Sequence, residues 1–143
     1  IYSIDNIWDT SQPHVYSLAE TAYQNIQMKN QSILVSGESG SGKTENTKYI
    51  LNYICHKYAI HPLLSSKIIN SNYIIELFGN AKTIRNDNSS RFGKFIKLYI
   101  SNKKIIGGHI ENYLLEKSRI SETTLDEKTY HIRFKVFSEK TPI

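Results

Sequence analysis

The sequence predicts an α/β fold, and three observations carry that reading. A short apolar run, Ile33-Leu34-Val35, leads through a glycine-rich turn into a stretch with apolar residues at helical spacing. Two other stretches, 13–28 and 64–78, also place apolar residues at helical spacing. Then 92–100 alternates apolar and polar residues, and 105–115 reads as its returning strand after a short polar turn. With 143 residues the chain has room for one domain with a core and is too short for two large ones.

In chain order, residues 1–12 are irregular around Trp8. Pro13 suits the first turn of a helix, and Val15, Leu18, Ala19, Ala22, Tyr23 and Ile26 continue its apolar face to about residue 28. After a connector at 29–31, the β-branched run Ile33-Leu34-Val35 has the composition of a strand buried in a parallel sheet. The helix behind the glycine turn carries Tyr49, Ile50, Tyr53, Ile54 and Tyr58, whose tyrosines read as core packing. His61-Pro62 ends that helix, because a proline disfavours helical geometry in the residue before it. Leu64, Ile68, Ile69, Tyr73, Ile74, Leu77 and Phe78 form the next helical stripe, closing near Gly79-Asn80.

Residues 82–90 are polar and read as a loop. The strand at 92–100 sets Phe95, Lys97 and Tyr99 against Ile96, Leu98 and Ile100. Residues 101–104 make the turn, and Gly107-Gly108 marks a bulge in the returning strand. The stretch 117–126 reads as loop and 127–137 as a short final helix.

The most informative stretch is Gly37-Glu38-Ser39-Gly40-Ser41-Gly42-Lys43-Thr44-Glu45, a match to Gly-x-x-x-x-Gly-Lys-Ser/Thr between a predicted strand and a predicted helix. Glycines allow the backbone conformations that aim successive N–H groups at one anion. The helix that follows adds its unpaired N-terminal N–H groups. Lys43 can reach the β and γ phosphates of a nucleotide, and the Thr44 hydroxyl can ligate Mg²⁺. A glycine loop that only joins two elements is the plain alternative, and the strand and helix on either side argue against it. These residues predict the core of a P-loop NTPase.

Composition narrows the function classes. The net charge of +5 is not gathered into a basic tract, so nucleic acid is not the expected partner. No apolar run approaches the roughly 20 residues that span a bilayer, and no signal-like stretch opens the chain. Cys55 is the sole cysteine, which excludes an internal disulfide and fits a reducing cytosol. The chain opens on Ile1 and stops at Ile143, and it reads as a piece of a longer polypeptide.

A second polar stretch follows at Asn86-Asp-Asn-Ser89-Ser90-Arg91-Phe92-Gly93-Lys94. Its hydroxyls are hard oxygen ligands suited to Mg²⁺, and Arg91 can meet a phosphate or hold the loop shut through a carboxylate. Asn and Ser capping their own backbone is the bland reading. Taken with the glycine loop, this stretch resembles the switch I loop of the myosin motor domain. Kinesins share a related Asn-x-x-Ser-Ser-Arg, with a different continuation expected at Phe92-Gly93-Lys94. The resemblance runs from about Pro13 to Ile132 and includes Phe78-Gly-Asn-Ala-Lys-Thr83 and Ile110-Glu-Asn-Tyr-Leu-Leu-Glu-Lys-Ser-Arg119.

That resemblance implies a division of roles. Gly37, Glu38, Ser39, Gly40, Ser41, Gly42, Lys43, Thr44 and Glu45 would form the nucleotide loop, with Lys43 on the β and γ phosphates. Thr44 and Ser90 would share the Mg²⁺ ion. Asn86 would contact the phosphates, Ser89 would help position the attacking water, and Arg91 would pair with a glutamate of switch II. The strands at 92–115 would be a pair from the transducer. The implied function is the ATP-binding segment of an actin-based motor coupling Mg-ATP hydrolysis to movement, an ATPase in its full-length form. Implied partners are ATP/ADP and actin filaments, the latter through regions outside this chain, with room for light chains, no nucleic acid and no membrane span. The implied location is the cytoplasm, with the actin cytoskeleton.

The alternative is a non-hydrolysing nucleotide-binding or structural derivative, against which the intact Lys43, Thr44, Ser90 and Arg91 argue. Two departures stand out: Tyr73 occupies a position where the family usually has proline, and the surface loop at 59–64 is short. No Asp-Ile-x-Gly-Phe-Glu follows, so the switch II expected to meet Arg91 is absent from the chain and the isolated segment is expected not to hydrolyse ATP.

Overall fold

Among the described residues, three helices and two β-hairpins follow one another. The computed structural model describes residues 14–133; Trp8, the predicted helix start at Pro13 and the end of the predicted last helix lie outside them.

Helix α1 spans Val15–Asn25, shorter than predicted, with the His14 side chain accepting from the Tyr16 N–H at 3.2 Å. Helix α2 spans Lys43–Tyr58 and α3 spans Pro62–Gly79. The residue after Tyr58 is already extended, so α2 stops three residues short of His61. His61-Pro62 instead starts α3: the imidazole accepts from the Leu63 N–H at 3.1 Å, and Pro62 takes the first helical position, where its missing N–H is not needed. Helix α3 runs on through Tyr73 without interruption, as the absence of a proline there predicts.

The core lies where the helices meet the second hairpin. It joins Ala19 and Tyr23 of α1, Ile50, Leu51, Ile54 and Cys55 of α2, Ile68 of α3 and Ile105. Burying a side chain such as Leu51 or Ile105 contributes roughly 1.5–3 kcal/mol. Of the α2 tyrosines predicted to pack in the core, Tyr53 and Tyr58 pack against it and Tyr49 does not. Tyr49 is exposed, while the Tyr53 and Tyr58 hydroxyls both donate to the Glu20 carboxylate of α1, at 3.0 and 2.6 Å.

The predicted strand at Ile33-Leu34-Val35 does not form among the described residues. Ile33 and Val35 still pack against the core, and Leu34, on the other side of the chain, is 90% exposed. A strand of a parallel sheet exists only through its neighbours, and the described residues supply none.

The polar stretch predicted as a loop forms a hairpin instead. Strand β1, Asn80–Thr83, pairs antiparallel with β2, Asn86–Ser90, placing Asn80 opposite Ser90 and Ala81 opposite Ser89. Its composition conceals it, since Asn, Asp and Ser are poor strand formers. The Thr83 hydroxyl makes up for this by closing the turn on both the N–H and the carbonyl of Asn86.

The second hairpin pairs β3, Gly93–Ser101, with β4, Lys104–Tyr113. Asn102 and Lys103 both have positive φ, 48° and 55°, which gives the turn the twist that a two-residue hairpin needs. Tyr99 faces Gly107 while Ile100 faces Ile105, so the extra residue is Ile106 rather than the predicted Gly107-Gly108. That bulge sends Ile105 fully into the core and leaves Ile106 half exposed. A 3-10 turn, Lys117–Ile120, lies within the predicted loop, and residues 131–133 begin a helical turn.

Candidate phosphate-binding site

The glycine turn is shaped by φ values open mainly to glycine: Gly40 at 85° and Gly42 at 83°. Gly42 is the residue before α2, so its left-handed conformation swings the chain into the helix at Lys43. The α2 N-terminus therefore opens directly off the turn, with no side chain capping its first N–H groups. The Lys43 ammonium folds back across the turn and donates to the Gly37 carbonyl at 2.6 Å and to that of Glu38. Ser39 and Ser41 are exposed beside it, and Glu45 is drawn sideways into an ion pair with Lys48 at 2.8 Å.

The first hairpin brings its last residue to this turn. The Ser90 hydroxyl lies 3.0 Å from the Thr44 hydroxyl, across 46 residues of sequence. The backbone holds that end of β2 firmly: the Arg91 N–H donates to the Gly79 carbonyl at 2.8 Å, and the Glu116 N–H to the Arg91 carbonyl at 3.0 Å. Phe92 packs on Gly79, where any β-carbon would overlap its ring.

Ser89 is buried, and its hydroxyl accepts from the Arg91 guanidinium at 3.2 Å. Arg91 also donates from Nε to Glu116 at 2.6 Å. Hydrogen bonds from Arg119 and Arg91 hold the Glu116 carboxyl far below its usual range, at about 2. Arg119 is itself buried and reaches on to Glu127 at 2.9 Å.

Of the predicted site residues, the structure brings together the turn 37–42, Lys43, Thr44 and Ser90, with Ser89 and Arg91 directly behind. The Asn86 side-chain oxygen accepts from the Asn88 N–H at 2.9 Å, inside its own hairpin. Sequence reasoning missed Glu116 as the partner of Arg91, although it lies within the stretch 110–119 that carries the family resemblance. It also missed Glu76, whose carboxylate holds both Lys48 and Lys94. Lys94 offered a signal, as a lysine in register with the inward-facing Ile96, Leu98 and Ile100.

The fit to a magnesium-bound nucleotide phosphate is good on these observations. The adjacent donors, Thr44 and Ser90, are neutral hydroxyls. Hydroxyl oxygens suit Mg²⁺, which takes few protein ligands and completes its shell with phosphate oxygens and water.

Compared with known families, the sequence falls in the class of motor domains. The family model for the myosin head (motor domain) matches residues 5–142, and the chain belongs to that family. It is 44% identical to unconventional myosin-VI of Mus musculus, over 95% of this chain and 12% of that protein. It is 49% identical to myosin heavy chain 95F of Drosophila melanogaster, over 84% of this chain and 10% of that protein. It is 48% identical to myosin-1 of Saccharomyces cerevisiae, over 94% of this chain and 8% of that protein. The chain thus spans about a tenth of the length of these relatives. No helix among the described residues is long and apolar enough to cross a membrane.

Proposed function

We propose that this chain is the phosphate-binding segment of an actin-based motor ATPase, built on the core of a P-loop NTPase. The observation that carries the reading is the 3.0 Å approach of the Thr44 and Ser90 hydroxyls beside the glycine turn. Two hydroxyls from distant parts of the chain thereby form one ligand pair at a helix N-terminus.

In this reading the N–H groups of 37–42 and the start of α2 cradle the β and γ phosphates of ATP, since unpaired N–H groups and the helix dipole favour anions there. The Lys43 ammonium gives up the carbonyls of Gly37 and Glu38 for phosphate oxygens, exchanging neutral acceptors for charged ones. Thr44 and Ser90 hold the magnesium ion, which when bound offsets the charge of the phosphates. Ser89 positions the attacking water, oriented by the guanidinium behind it. Asn86 must leave its bond within the hairpin to contact phosphate. Arg91 exchanges Glu116 for a glutamate of switch II supplied from outside these residues. The strands β3 and β4 belong to the transducer. Actin filaments, and any light chains, engage other parts of the full-length protein, which works in the cytoplasm on the actin cytoskeleton.

The test is magnesium-dependent ATP hydrolysis by the full-length polypeptide, with and without actin filaments. Actin-stimulated turnover that falls to background in Lys43→Ala is the expected result. A folded full-length protein that neither binds nor hydrolyses Mg-ATP overturns the reading.

A further inference from the structure

Helix α3 carries a carboxylate that none of the roles above uses. Glu76 of α3 is 6% exposed. One of its oxygens accepts from Lys48 Nζ at 3.0 Å, and the other from Lys94 Nζ at 3.0 Å. Asn72, one turn earlier on α3 and 1% exposed, donates to Glu76 at 3.1 Å and accepts from Lys94 at 2.7 Å. The Glu45 carboxylate closes the cluster on Lys48 at 2.8 Å, so two carboxylates face two ammonium groups. The Tyr73 ring lies 5.4 Å from Lys48 Nζ and covers it.

The two lysines are not placed at random. Lys48 stands four residues beyond Thr44 on α2, one turn along the same face of the helix. Lys94 stands four residues beyond Ser90, at an inward position of β3. Each lysine is thus tied through a short, ordered piece of backbone to one hydroxyl of the pair. A buried ion cluster is poor value as a source of stability, because desolvation offsets its attraction, and its best attested use is to fix register.

We propose that Glu76 is a positioning residue. By gripping Lys48 and Lys94 at once, it sets the loop helix and the strand behind Ser90 at the separation that makes Thr44 and Ser90 a preformed magnesium ligand pair. The inference rests on the nucleotide reading above. Loss of either lysine leaves the glycine turn and its anion cradle in place but lets the two hydroxyls drift apart.

The experiment measures affinity for a fluorescent ATP analogue in the full-length polypeptide, once in excess Mg²⁺ and once in EDTA, for wild type, Lys48→Met, Lys94→Met and the double variant. Magnesium tightens binding in wild type. In each single variant that tightening is expected to shrink by roughly 10- to 100-fold, as when a group supporting metal ligands is lost, while the affinity in EDTA stays the same. The double variant is expected to be no worse than either single one, because both act through one carboxylate. Lys94→Arg, which keeps the charge, is expected to recover much of the loss. If Lys94→Met does not fold, Lys94→Gln retains a donor to Asn72 and gives the same reading. Equal magnesium tightening in wild type and variants overturns the positioning role, as does a parallel loss in EDTA, or a double variant whose loss is the product of the two. A wild type with no magnesium tightening overturns the nucleotide reading instead.

Discussion

Arg91 and Glu116 meet at 2.6 Å, joining the end of β2 to the segment that follows β4. The same carboxylate takes Arg119 Nε at 2.8 Å, and the Tyr130 hydroxyl donates to the Glu116 backbone carbonyl at 2.7 Å. Two guanidinium groups on one carboxylate are what hold its pKa down at about 2. A carboxyl whose folded pKa is depressed contributes stability above its unfolded value, and that contribution fades as pH falls through the folded value. Glu116→Gln is therefore expected to lower stability at neutral pH by roughly 1–2 kcal/mol, a modest figure because the pair is partly open to water. Denaturation midpoints against pH should show the gap to wild type closing between about 4.5 and about 2. A gap that persists unchanged at the acid end would exclude the ion pair as its source.

Gly79 supplies a second test. Its buried Cα sits against the Phe92 ring, and its carbonyl accepts from the Arg91 N–H. A methyl group there would overlap the Phe92 ring, so the ring or the backbone must shift. Gly79→Ala is expected to destabilise by roughly 1–3 kcal/mol, as overpacking does, and to loosen the Ser90 end of β2. Pairing with Phe92→Leu should recover part of the loss in a double-mutant cycle; strictly additive losses would show that the two do not press on each other.

What the sequence made legible follows from how local each signal was. The helices were readable because their stripes, such as Leu64, Ile68 and Ile69, depend on neighbours three and four residues away. The β3–β4 pair was readable because alternation and a polar turn are local too. The β1–β2 hairpin was not, since its strands carry almost no apolar face and the device that closes it is one threonine hydroxyl, on Asn86. The run Ile33-Leu34-Val35 misled in the opposite direction: its composition suits a buried strand, but it pairs with nothing among the described residues. At the site, the motif supplied Lys43, Thr44 and Ser90, whereas Glu76, Lys48 and Lys94 meet only through tertiary packing. No spacing rule announces such a meeting.

Cys55 offers a test of the core. It is fully buried in α2, and burial pushes its thiol up to about 11. Thiolate is the reactive form, so at neutral pH the group is both inaccessible and protonated. Alkylation in the native protein is expected to be slower than in denaturant by orders of magnitude, with mass spectrometry reading the modified fraction. Labelling of the native protein at the denatured rate would mean that α2 does not pack as described.

The polar contact between α1 and α2 carries the last expectation. Glu20 is only partly buried, yet it gathers the hydroxyls of Tyr58 and Tyr53 at 2.6 and 3.0 Å and Lys57 at 3.3 Å. Burial raises the Glu20 pKa, but the hydrogen bonds, that of Tyr58 foremost, outweigh it and leave the carboxyl below its ordinary value. The reciprocal effect, added to burial, raises both tyrosines well above 10. Stability from a raised tyrosine is present below its unfolded pKa and lost as pH climbs through the folded one. Tyr58→Phe removes a donor to an ionised acceptor while preserving the ring that stacks on Tyr23 at 3.5 Å. It is expected to lower stability by roughly 1–3 kcal/mol at neutral pH. Wild type should then lose stability more steeply than the variant above pH 10, so that the two curves converge. The same convergence is expected on the acid side as Glu20 takes up its proton. Parallel curves at both ends would assign the loss to packing and leave the Tyr58–Glu20 bond without a part in holding α1 to α2.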